Sequence, residues 1–71
     1  MIEEVEVIVE STRFEPKVVK VRVGETVESV VKSIGLNPVE YVPVLNGQIV
    51  PEDEPILAPA KLKLIPVVSG G

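Results

Sequence analysis

Residues 4–10, Glu-Val-Glu-Val-Ile-Val-Glu, alternate: Val5, Val7 and Val9 take one side, and Glu4, Glu6, Ile8 and Glu10 the other. A period of two predicts a strand with one buried face. Residues 11–16, Ser-Thr-Arg-Phe-Glu-Pro, are polar with a proline and are expected to turn. Residues 17–23 alternate again, with Val19, Val21 and Val23 set against Lys20 and Arg22. Two such runs a short loop apart predict a hairpin, glutamates of one strand facing the basic residues of the other. The period then changes. Val27, Val30, Val31 and Ile34 stand at i, i+3, i+4 and i+7, which is one stripe of a helix. Thr26 is placed to cap its start, Glu28 faces the positive end of its dipole, and Gly35 is expected to close it, with Pro38 soon after.

Residues 39–50 read as a strand, a turn and a short strand. Asn46-Gly47 is the turn signal, because both residues accept positive φ. Pro43 has no N–H to give, which suggests a sheet edge or an irregularity there. Residues 51–60 hold three prolines and read as a loop. Residues 61–68 read as the last strand, Leu62 and Leu64 facing in and Lys61, Lys63 and Ile65 out, with Pro66 ending regular pairing. The order β-β-α-β-β-β gives one apolar sheet face and one apolar helix stripe, and laying the helix across the sheet buries both. The expected class is α+β: a ubiquitin-like β-grasp, a mixed sheet of four to five strands with one helix packed across it and a flexible C-terminal tail. Residues 1–66 are the expected domain and 67–71 the Gly-Gly tail.

The chain has 71 residues, 45% of them hydrophobic, enough for a single core without disorder. Cysteine and histidine are absent. This excludes disulfides, a thiolate or imidazole zinc site, a Cys nucleophile and a His base, so the chain is not expected to be an enzyme or to hold a metal or cofactor. Seven basic against eleven acidic residues give a net charge of −4, which argues against direct binding of nucleic acid. No apolar run approaches a membrane span, and the start does not read as a secretory signal; a cytoplasmic monomer is the expectation.

Two segments carry a resemblance. Residues 44–54, Val-Leu-Asn-Gly-Gln-Ile-Val-Pro-Glu-Asp-Glu, resemble the segment before the last loop of the sulfur-carrier proteins of thiamin biosynthesis. Residues 65–71, Ile-Pro-Val-Val-Ser-Gly-Gly, resemble the tail of the molybdopterin sulfur carriers. Length, acidic loop and Gly-Gly together look most like the archaeal small modifier proteins, ubiquitin-like relatives of both. Where such carriers often show Asp-Gly-Asp before the last strand, this chain has Pro59 and Ala60.

The resemblance implies a chemistry at Gly70 and Gly71. A ubiquitin-activating-type partner would join the Gly71 carboxylate to AMP, using ATP. A sulfur donor would then convert it to a thiocarboxylate, or a target-protein lysine would take it as an isopeptide. Sulfur-acceptor enzymes of tRNA thiolation, molybdopterin or thiamin assembly are the implied partners, with tRNA thiolation favoured through the modifier group. Glycine suits a terminus that must enter another protein's active site, because no Cβ hinders approach. The six residues from Pro66 to Gly71 span roughly 20 Å when extended.

Ile8, Val44 and Ile65 fall on the face away from the helix, on strands that a β-grasp sets side by side. They are the candidate partner patch, with Val67 and Val68 extending it toward the tail. Glu52, Asp53 and Glu54 read as a solvated loop, and Phe14 and Tyr41 as packing residues. Lys17, Lys32, Lys61 and Lys63 could each accept another copy in a chain, and nothing in the sequence selects one. The rival reading is a β-grasp interaction module whose tail has no chemistry.

Overall fold

The computed structural model describes residues 3–68. Within them lie β1 (Glu4–Ser11), β2 (Phe14–Arg22), α1 (Val27–Ser33), a 3-10 helix (Pro38–Glu40), β3 (Tyr41–Leu45), β4 (Gln48–Ile49) and β5 (Ala60–Pro66). The strands form one sheet in the order β2-β1-β5-β3-β4. β5 runs parallel to β1 and antiparallel to β3, which makes the sheet mixed and puts β5 at its centre. Val7, Val9, Val21, Leu62 and Leu64 of the sheet and Val27, Val30 and Val31 of the helix form the core. The predicted faces of β1 and β5 and the helix stripe are therefore those observed, and the fold is a ubiquitin-like β-grasp.

The helix is closed at both ends by local chemistry. The Thr26 hydroxyl accepts from the Ser29 N–H at 3.2 Å. At the other end the Gly35 N–H donates to the Lys32 carbonyl at 3.0 Å and the Leu36 N–H to the Val31 carbonyl at 3.1 Å. This paired closure needs a left-handed residue, and Gly35 supplies it at φ +85°. The acidic loop acts on the helix through its backbone. The carbonyls of Glu52 and Glu54 accept from the N–H groups of Glu28 and Val27, donors that a helix start otherwise leaves unpaired.

Two expectations are corrected. Residues 11–16 are not a loop: β1 runs to Ser11 and β2 starts at Phe14, leaving Thr12 and Arg13 to turn. Pro16 is tolerated inside β2 because β2 is an edge strand and its register slips between Val9 and Ser11, where the unpaired residue needs no ladder bond. The strand after the helix starts at Tyr41 rather than Val39, because Asn37 caps a 3-10 turn by accepting from the Val39 N–H at 3.2 Å. Regular pairing of the last strand ends at Pro66, as expected: Pro66 faces Tyr41 as the last pair, and beyond it a single bond follows, the Val67 N–H donating to the Glu40 carbonyl at 2.9 Å.

Pro43 fits its expected place. In a strand the N–H and C=O of one residue point the same way. Its carbonyl accepts from the Val50 N–H at 3.2 Å, past the end of β4, so no ladder bond there requires a donor from Pro43.

Candidate functional site

Among the described residues no polar or charged side chain is buried, and no group of three or more His, Cys, Asp or Glu is placed to hold a metal ion. Among the same residues no helix is long and apolar enough to cross a membrane. The strand that leads to the C-terminal residues sets the geometry of the surface around it.

β5 is held on both sides. It pairs Val7–Glu10 with Ala60–Lys63 and Tyr41–Leu45 with Leu62–Pro66. Its start is stitched by Asn46, whose N–H donates to the Lys61 carbonyl at 2.9 Å and whose Oδ1 accepts from the Lys61 N–H at 3.0 Å. Asn46 stands at φ +50° and Gly47 at φ +85°, the primed turn that the sequence predicts. The central strand thus delivers residues 67 and 68 from a rigid root. Gly70 and Gly71, the expected reacting residues, lie outside the described residues.

The outer sheet face follows from the register. Glu4 faces Arg22 and Glu6 faces Lys20 across β1 and β2, as the charge pattern predicts. Ile8 lies between Val18 and Lys61, Glu10 beside Lys63, Val44 between Lys63 and Ile49, and Ile65 beside Val42. All five expected patch residues reach solvent, from half-buried Val44 to Val68 at 86% exposure. The register nevertheless divides them. Ile8 and Val44 stand two strands apart, about 10 Å, with Lys61 and Lys63 on the strand between. Ile8 shares a hollow with Val18, Asn46 and Pro59, at the end of the sheet remote from the tail. Val44 and Ile65 belong to a second apolar area, with Val42 and Ile49. Val68 borders a hollow with Ile65, Lys63 and Thr12 and so continues that second area, whereas Val67 faces Arg13, Val39 and Glu40.

Val42 and Ile49 were not singled out from the sequence. The parity of Val42 with Val44 was available as a signal, and the two-residue turn at Asn46-Gly47 sets Ile49 opposite Val44. Ile49 is 76% exposed, a large aliphatic surface for a domain of this size.

Comparison with known proteins adds two findings. The model of the family described as the ThiS family matches residues 5–71, nearly the whole chain and both segments that carried the resemblance. No curated protein matches the chain.

Proposed function

The chain belongs to the ThiS family, and from that premise we propose that it carries sulfur on the carboxylate of Gly71. Members of the family are small ubiquitin-like sulfur carriers rather than enzymes, working with an activating enzyme and sulfur-transfer partners. The observation that carries the finer reading is that the family match runs through residue 71 and so takes in the Gly-Gly ending.

In the proposed reaction a carboxylate oxygen of Gly71 attacks the α-phosphorus of ATP in the partner's active site. Pyrophosphate leaves and an acyl adenylate remains. A sulfur nucleophile from the donor then attacks the acyl carbon and AMP leaves. Cleavage of the donor's carbon–sulfur or sulfur–sulfur bond yields the thiocarboxylate, with any reducing equivalents supplied by a thiol. This chain contributes no acid or base to these steps. It contributes an unhindered terminus and a surface by which the partner knows it. We assign that surface to Val42, Val44, Ile49, Ile65 and Val68, which adjoin the root of the tail, with Lys61 and Lys63 beside them. Thiamin or molybdopterin assembly is the proposed destination of the sulfur.

Mass spectrometry of the protein isolated from its own cells tests the reading. Sulfur in place of a terminal oxygen is the expected result. A lysine of another protein bearing the tryptic remnant Leu64–Gly71 would make the chain a modifier instead. A chain shortened by Gly70 and Gly71 should lose both products, and if it serves the cell as well as the intact chain, the interaction-module reading replaces this one.

A further inference from the structure

Three separate segments meet where the chain leaves the sheet. The first is the β1–β2 turn, which contributes Arg13. The second is the end of the 3-10 helix, which contributes Val39 and Glu40. The third is Val67, one residue beyond β5. These four side chains line one hollow of about 400 Å³. The Val67 N–H donates to the Glu40 carbonyl at 2.9 Å. The Glu40 carboxylate stands 3.9 Å from Arg13 Nη1, a long ion pair. The Arg13 guanidinium lies over the ring of Tyr41, 5.5 Å from its centroid. Tyr41 is only 7% exposed and comes directly after Glu40, so a cation resting on its ring is fixed relative to the backbone that receives Val67.

We propose that Arg13 is a positioning residue for the tail. By resting on Tyr41 and facing the Glu40 carboxylate, it holds the Glu40 carbonyl toward the Val67 N–H. Val67 is then held against the sheet, and the collar sets the point and direction from which the chain continues. The inference rests on the reading that Gly71 is the reacting residue. Gly71 is the fourth residue after Val67, a reach of about 13 Å when extended. That is shorter than the span counted from Pro66, and it leaves the partner a narrower range of depths at which to place its adenylating site.

The exposed ion pair alone would contribute little. The stacked guanidinium is a separate contact, and a lysine cannot reproduce its planar face. This separates the collar from a turn cation that is merely solvated.

The test is residue-resolved amide hydrogen exchange on the full-length chain, comparing the native protein with Arg13→Ala and Arg13→Lys. In Arg13→Ala the Val67 amide should exchange about two- to fivefold faster, the factor that matches loss of an exposed cation–π contact. Sheet amides such as those of Val9 and Leu62 should not change. Arg13→Lys should restore the Val67 rate only in part. With an adenylating partner and ATP, Arg13→Ala should raise KM for the chain and leave kcat unchanged, because the tail must then be ordered on binding. An unchanged Val67 rate in Arg13→Ala overturns the proposal, as does a uniform rise across the sheet, which marks general loss of stability. Exchange is read without any partner. If Val67 responds as expected but the native chain is never adenylated, the collar stands and the carrier reading falls.

Discussion

Leu64 and Ile65 are neighbours in β5 on opposite faces of the sheet, and truncating each in turn measures what the two faces do. Leu64 is 1% exposed, and its Cα partner in β3 is Pro43. Only about 10 Å³ of free space remains where it meets Val27, Val31, Tyr41 and Pro43, so little slack exists to close around a smaller side chain. Leu64→Ala should therefore cost about 3 kcal/mol, within the usual 2–5 kcal/mol range for a buried leucine. A domain of this size has a total stability of about 4–11 kcal/mol. The midpoint of thermal unfolding should fall by roughly 12–24 °C. Ile65 is 42% exposed and leaves no cavity when shortened. At about 0.8 kcal/mol per buried methylene, Ile65→Ala should cost about 1 kcal/mol, or roughly 4–8 °C. Circular dichroism during heating and urea titration gives both numbers, and an unchanged urea slope would confirm that the unfolded states are alike. An equal or larger loss for Ile65→Ala would refute the assignment of faces, and with it the placing of Ile65 in a partner-facing area.

The turn before β5 offers a second comparison. Gly47→Ala should cost about 1 kcal/mol from its positive φ alone, because a Cβ there meets nothing within 4 Å. Asn46→Ala should cost about 1–2 kcal/mol more than a surface change, since it also strips the Lys61 N–H of its acceptor; urea midpoints decide both. For Lys32 the hydrogen bond to Glu28 at 2.8 Å, then the charges of Glu28 and Glu52, raise the pKa above 10.5. A raised lysine pKa means the contribution is complete below 10.5 and is lost as pH rises through the higher folded value. The stability gap between native protein and Lys32→Met should thus be level from neutral pH to about pH 9.5, shrink above it, and diminish in salt. A gap that widens with rising pH would contradict this sign.

Much of the fold was legible because period and punctuation agree in this chain. The valines of β1, the leucines of β5 and the stripe of α1 each declare a face, and Thr26, Gly35 and Asn46-Gly47 mark boundaries that local hydrogen bonds then enforce. Reading failed where a local rule depends on position in the sheet. Pro16 reads as a loop residue only if its strand is internal, and nothing local says that β2 lies at an edge. Ile56 is 1% exposed and plugs the core, yet it sits among prolines without any period. What holds it is non-local: its N–H donates to the Glu25 carbonyl and its carbonyl accepts from Gly24, both at 2.8 Å.

The candidate site was legible to a different limit. Parity tells which face a side chain takes, but not which column it occupies. Ile8, Val44 and Ile65 share the outer face, as their parity requires. Their columns are set by the register of β5 against β1 and β3, which Asn46 fixes by bonding Lys61. That register puts the two lysines of β5 between Ile8 and Val44. On the proposed function, a partner that grips the tail at its root would meet Ile65, Val42 and Val44, with a cationic border formed by Lys61 and Lys63 in a chain of net charge −4. Its complementary surface should be apolar at the centre and acidic on that one side. Ile8 lies beyond the border, at the far end of the same face, so substitutions there should leave engagement of the tail untouched.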